Sequence, residues 1–411
     1  MRIAILLLFV GVSASKADDE LPLPGTPVSR PLTPVVEPPQ KLPPVEPPSA
    51  ETPVEPPVVA EAGKPVVIGP IRENWSHYDL LLTWSKAQPV PPLLMGNNDS
   101  LLVGGSSLGN KAHAGFRFGM GWASSADREW GFEFEGMFLG TYEATQSFTQ
   151  GNLNRPFLNT ETGRASQLIV NGSGSGGVQV TTTTRVQGWE VTGLKNLVDA
   201  GDVIVNALGG YRYFGANEGL HIQQQSLRLA NANNPAAIWG IYDQFDARNN
   251  FQGGQIGLQF DSVRANWLVS FRATTAFGTN FQTVQATGRS SMTTAALPQP
   301  LVQPYNAGFL AVNSNSGRVM QPKFAVLPEA RLNVGYRIGG QCHLFAGYDF
   351  MYLSNAVRPG DQVDLAVNTA QVPALGGVSG PVFNGANRPV VSFQRTDFWV
   401  QGITLGFDCR Y

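Results

Sequence analysis

Eleven ionisable side chains recur at alternate positions of stretches that otherwise switch between apolar and polar residues: Arg117, Glu133, Glu135, Arg212, Arg272, Arg331, Arg337, His343, Asp349, Asp408 and Arg410. Alternate side chains of a strand share a face. This single parity therefore gathers acids and bases on one side of a sheet. Two chemistries fit such a face. The charges line a water-filled eyelet with fields of both signs, or they pair across neighbouring strands and plug a narrow interior. The spacing leaves both open, with the lined pore as the leading expectation.

Other chemistries have less support. Nucleophilic catalysis needs a nucleophile with a placed base. The histidines are His77, His113, His221 and His343, and none sits beside an outward-facing serine in this alternation. No enzyme and no catalytic residue are expected. Asp361 and Asp364 lie in the run Arg358-Pro-Gly-Asp-Gln-Val-Asp, whose spacing matches no calcium loop; a turn on Pro359-Gly360 is expected instead. The glycine-rich run 172–177 has no helical pattern after it, so it reads as a flexible loop rather than a phosphate cradle. No metal and no cofactor are expected. Cys342 opens one alternating stretch and Cys409 nearly closes another, both on the apolar parity and near one rim. Antiparallel pairing would set them opposite each other, and a disulfide is expected in an oxidising compartment.

The elements that must position these groups are strands. The last stretch, TDFWVQGITLGFDCRY, places Trp399, Ile403, Leu405, Phe407, Cys409 and Tyr411 on one face, broken only by Gln401, and Gly402, Thr404, Gly406, Asp408 and Arg410 on the other. Its oily face is about as long as a membrane strand needs and ends on an aromatic ring. Similar alternation runs through 78–86, 112–122, 130–138, 185–194, 203–214, 220–228, 254–260, 267–277, 280–289, 331–338 and 342–353. That gives roughly twelve strands, an even number as bacterial barrels require, with ten or fourteen left open by the long connection 231–249. Long polar loops are expected at 142–182, 290–323 and 354–395. There is no apolar run of helix-spanning length, so a closed barrel is the remaining way to satisfy the backbone in lipid. Arginine at the lipid midplane would cost about 2 to 4 kcal/mol, which is why the confinement of charge to one parity supports a barrel. A secreted soluble β-protein would instead expose the oily faces as a belt to water.

Residues 1–17 combine a cation, an apolar core and small residues before a plausible cut, and are expected to be a cleaved signal peptide. Residues 18–72 repeat Glu-Pro-Pro at Glu37, Glu46 and Glu55 and are expected to form a disordered, polyproline-like periplasmic tether. Residues 73–411 are expected to be the barrel. With 14% charged residues and a net charge of −2, no nucleic-acid partner is expected. Expected partners are outer-membrane lipid, the barrel-assembly machinery through the C-terminal strand, and peptidoglycan or a periplasmic protein through the proline-rich segment.

The run FAVLPEARLNVGYRIGGQCHLFAGYDFMYLSNAVRPGDQV, the C-terminal stretch, GGYRYF at Gly209 and NNFQGGQIGLQF at Asn249 together resemble the putative β-barrel porin family of planctomycete outer membranes. The resemblance covers residues 75–411 and implies an all-β, transmembrane, up-and-down antiparallel barrel in a bacterial outer membrane; it adds little about cargo. The expected function is a porin-like passive channel for small hydrophilic solutes. The alternative is a non-conducting structural or adhesive barrel that presents long external loops.

Overall fold

The computed structural model describes residues 74–109, 112–123, 129–171, 175–230, 236–294, 299–377 and 385–411. These residues lie within one compact unit, Gly63–Tyr411. The expected signal peptide and tether fall outside the described residues.

Ten strands form the wall: β1 (Asn74–Ser85), β2 (His113–Ala123), β3 (Trp130–Leu139), β4 (Gly176–Asp199), β5 (Val203–Arg228), β6 (Ala237–Arg264), β7 (Trp267–Thr294), β8 (Gly317–Gly339), β9 (Cys342–Val357) and β10 (Arg395–Arg410). Each pairs antiparallel with the next, and β10 returns to β1, so the ring closes as an up-and-down barrel. Tyr78 on β1 lies opposite Phe407 on one side and Phe118 on the other. Closure removes the unpaired edges that would otherwise need partners.

The sheet has twelve strands, the expected number. Tyr142–Phe148 continues β3 along the upper half of β4, and Leu301–Tyr305 pairs with the far end of β7. The ring itself is ten-stranded because two expected pairs fuse: 203–214 with 220–228 in β5, and 267–277 with 280–289 in β7. The alternation falters at Gly215 to Gly219 and at Gly278 because these long strands run on past the apolar belt, where the outer face turns polar. The same extension absorbs most of 231–249 into β6.

Parity follows the expectation. On β10, Leu405 is 57% exposed while Thr404 beside it is 1% exposed. Apolar and aromatic residues cover the outer face, among them Leu80, Phe116, Phe132, Phe271, Leu332 and Phe407. Trp267 and Tyr336 meet edge to face near one rim, with centroids 5.1 Å apart, as interfacial aromatics do.

The two ends of the barrel differ. At the end carrying Asn74 and Tyr411, β6–β7 and β8–β9 join through two residues each and β4–β5 through three. Cys342 and Cys409 sit opposite each other at this rim and form a disulfide. At the other end the connections build a cap. Much of what the sequence suggests as loop is ordered there: Asn154–Asn159, Arg164–Ile169, Leu94–Met95, Leu101–Val103 and Ala366–Val367 form a second, five-stranded sheet. The cap shares a hydrophobic core with the upper wall, joining Leu93, Leu153, Phe157 and Phe309 to Val178, Leu220, Ile222 and Phe245.

Candidate functional site

The interior is filled in layers, and the first is a belt of ion pairs. Inward positions of β1 to β9 bring together Arg117, Glu133, Glu135, Arg212, Arg272, Arg331 and Asp349 from the sequence expectation, with Asp79, Glu190 and Glu329 added by the fold. Arg331 on β8 grips Glu135 on β3 with two nitrogens, one bond being 2.6 Å, and binds Glu329 at 2.7 Å. Arg272 on β7 reaches Glu133 and bonds Glu190 at 2.7 Å. Arg117 lies 2.9 Å from Asp349 and 3.4 Å from both Asp79 and Glu135, and Arg212 pairs with Glu329. In a ten-stranded ring β3 and β8 are diametrically opposed, so the Arg331–Glu135 contact crosses the full width of the barrel.

The remaining sequence candidates stand apart from this belt. Arg337 and His343 are register partners near the terminal rim, and Arg410 lies 3.5 Å from Asp408 there. Three belt members were missed for identifiable reasons. Glu329 sits two residues before Arg331, just outside the expected strand, and Asp79 and Glu190 lie on the wet parity of strands that were recognised.

Above the belt the lumen is filled by apolar side chains. Leu81, Met137, Val186, Phe214, Phe251, Leu327, Met351, Phe398 and Val400 form one buried cluster drawn from almost every wall strand. Phe214 on β5 and Phe398 on β10 come from opposite walls, and their ring centroids are 6.4 Å apart. Arg358 closes this layer from the cap side. It is fully buried, bonds Glu218 at 2.7 and 2.8 Å, donates to the carbonyls of Lys86 and Ala87, and stacks over Phe398 at 5.5 Å. The Arg358-Pro-Gly-Asp-Gln run is therefore an anchor driven into the barrel. Sequence reasoning placed it in an external loop because its hydrogen-bond partners Glu218, Lys86 and Ala87 lie over a hundred residues away.

The acids that follow have different roles. Asp364 accepts bonds from Arg388, Ala366 and Val390, which makes it a staple of the loop. Asp361 follows Pro359-Gly360 in a 3-10 turn, and burial raises its carboxyl above the ordinary range despite nearby Arg358. A raised folded-state pKa adds no cost in acid, where folded and unfolded chains are both protonated. The cost appears as pH rises through that pKa. Asp361→Asn should therefore slow hydrogen exchange across 358–371 at neutral pH and leave it unchanged in acid. Equal exchange at neutral pH would show that Asp361 carries no such penalty.

The carboxylate oxygens of Glu133, Glu135 and Glu190 lie within 4.8 Å of one another, close enough to hold a metal ion. Arg272 and Arg331 already occupy them, so the trio works as half of an ion-pair lattice. Below the belt, a cavity of about 170 Å³ runs from Asp79 and Phe345 to the rim residues Glu129 and Asn196.

In architecture the chain is similar to the outer membrane protease OmpT of Escherichia coli, at 7% identity over 82% of this chain and 97% of that one, with a TM-score of 0.41. It is also similar to the Pseudomonas putida toluene transporter TodX, at 6% identity over 82% and 90%, with a TM-score of 0.21. No curated protein matches the sequence. The expectation that the chain is not an enzyme is corrected by the first likeness. Residues 75–411, with their closed wall and inward charges, match the putative beta barrel porin-7 family, and the chain belongs to it.

Proposed function

We propose that this is a plugged outer-membrane barrel that carries a folded external cap, the second of the two functions anticipated from the sequence. The observation that carries the reading is contact across the lumen: Phe214 meets Phe398, and Arg331 grips Glu135, from opposite walls. A passive channel for hydrophilic solutes needs a continuous wet path, and here an apolar layer lies between the ion-pair belt and the cap core. The short turns and termini face the periplasm in this reading, and the cap faces outward with its strands held on a buried core. Lipid surrounds the apolar belt, the assembly machinery engages β10, and peptidoglycan or a periplasmic protein is the partner proposed for the proline-rich segment.

Planar bilayers test this directly. Reconstituted protein should insert without conductance in symmetrical potassium chloride, and insertion should be verified separately by protease protection of the barrel. Ohmic steps from verified single barrels would restore the passive channel and end the plugged reading.

A further inference from the structure

We infer that the outer face of β4 to β8, just beyond the apolar belt on the cap side, binds the phosphate of an anionic lipid headgroup through Arg185, Arg248 and Arg318. The inference goes beyond the plugged-barrel reading and needs only that the belt lies in lipid. In the orientation proposed above, the headgroup belongs to the outer leaflet.

Strand register places the three arginines. Arg185 on β4 pairs with Asn217 on β5, Asn217 with Arg248 on β6, and Arg248 with Thr283 on β7. Thr283 in turn faces Met320 on β8, two residues from Arg318. All three arginines are exposed. Neighbouring strands lie about 4.8 Å apart, so Arg185 and Arg248 stand roughly 10 Å apart across Asn217, with Arg318 two strands further on. A guanidinium presents a planar fork of donors that matches phosphate oxygens.

Their level is that of a headgroup. Trp189 lies four residues below Arg185 on β4, and its ring meets those of Tyr211 at 5.5 Å and Tyr213 at 5.8 Å. Such aromatic girdles mark the membrane–water interface. Four strand residues of roughly 3.3 Å each, tilted by about 40°, raise Arg185 about 10 Å above the rings. From there the long arginine stem reaches back into a headgroup layer about 5 to 8 Å deep.

The charge on this face is unmatched. Other cations of the wall have carboxylate partners: Lys195 has Glu129, Arg264 has Asp202 and Lys86 has Asp397. Among the described residues, Arg185, Arg248 and Arg318 have none. Two acids share the face. Asp246 is held by His221 at 3.5 Å and by Gln244 at 2.6 Å, and Glu143 lies opposite Thr183 on the flanking strand Tyr142–Phe148. Arg289, exposed higher on β7, adds a fourth cation. Below the arginines the face is hollowed between Tyr211 and Ile256, the register partners of Gly254 and Gly209. A Cβ on Gly209 would meet nothing within 4 Å, and one on Gly254 only a carbonyl oxygen at 3.9 Å. This trough suits an acyl chain, which a free phosphate lacks.

The test uses full-length protein refolded in non-ionic detergent, with native mass spectrometry counting bound dioleoyl phosphatidylglycerol and dioleoyl phosphatidylcholine, which share their chains. The anionic lipid should bind about tenfold or more tightly, since one basic residue beside an anionic surface provides about fivefold. Changing Arg185→Gln, Arg248→Gln and Arg318→Gln together should abolish the preference, and exposed substitutions of this kind change stability little. Lys195→Gln with Arg264→Gln, at the opposite rim, should keep it. Should the triple variant not fold, the lipid pair and competition by inorganic phosphate on the unaltered protein still decide. Equal retention of the two lipids, displacement of phosphatidylglycerol by an equal concentration of inorganic phosphate, or the same loss in the opposite-rim variant would overturn the assignment. A conducting barrel that keeps the preference would end the plugged reading and leave this site standing.

Discussion

Arg331→Met should lower the stability of the refolded barrel by about 3 to 5 kcal/mol, the usual cost of breaking a buried ion pair from one side. Arg331 is 6% exposed and is the main cation on Glu135, with Glu329 also in its grasp. Methionine fills much of the same space, so the loss would come from charge and not from a void. Glu135 would keep Arg117 at 3.4 Å and His77 at 3.3 Å, which sets the cost below that of a wholly abandoned carboxylate. The measurement is the urea midpoint of folding into lipid vesicles, read from the gel mobility of the folded form. Adding Glu135→Gln to Arg331→Met should recover about 1 to 3 kcal/mol, because the second change neutralises the stranded charge and contacting residues couple by this much. A single variant within about 1 kcal/mol of the parent would mean that water reaches the belt, and the plug would then lose its electrostatic half.

The legibility of this fold in the sequence follows from what each residue touches. Where a strand crosses lipid, solvent on the two faces differs as sharply as it can, so Leu332, Val334 and Tyr336 against Arg331, Asn333 and Arg337 give both parity and location. The same parity singles out seven of the ten belt residues, while Asp79, Glu190 and Glu329 were not singled out. Pairing across the lumen was not readable, because it depends on which strands stand opposite one another, and that depends on a ring of ten. Beyond the belt the outer face of β5 and β7 meets water, both faces become mixed, and a continuous strand then reads as two. The cap was hidden more completely. Asn154–Asn159 and Ala366–Val367 pair in parallel across some two hundred residues, and no local pattern announces such a partner. The cysteines are the opposite case, since each lies near the end of a strand whose parity is clear.

The layers also constrain one another. Arg358 touches Glu218, Phe398 and the chain after β1 at once, so the cap is tied to the apolar layer rather than resting on it. A barrel built to conduct would need these contacts to part together with the Phe214–Phe398 contact and the belt beneath. Each joins partners on different strands, so no single side-chain rotation opens a path.

Asp243→Asn should cost about 3 to 5 kcal/mol, again by leaving a buried partner uncompensated. Asp243 and Arg155 are both fully buried, joined at 2.8 Å, and the guanidinium also lies over the Phe309 ring at 4.6 Å. Burial pulls the Arg155 pKa below its ordinary value while Asp243 opposes the shift, so removing the carboxylate charge leaves a strongly disfavoured cation in the core. The other oxygen of Asp243 accepts the backbone N–H groups of Phe309, Leu310 and Ala311 at 2.8 to 2.9 Å. Gly308 permits this seat, since a Cβ there would come within 2.2 Å of the same oxygen. Asparagine could still accept from the three amides but would turn its own N–H groups or a weaker dipole toward Arg155. Asp243→Ala would lose both functions, and amides 309–311 should then exchange with solvent far faster than those of the wall strands. The two variants separate the ion pair from the strap at 309–311: slow exchange there in the alanine variant would show that the shared core around Phe309 and Phe157, rather than the carboxylate, holds the strap in place.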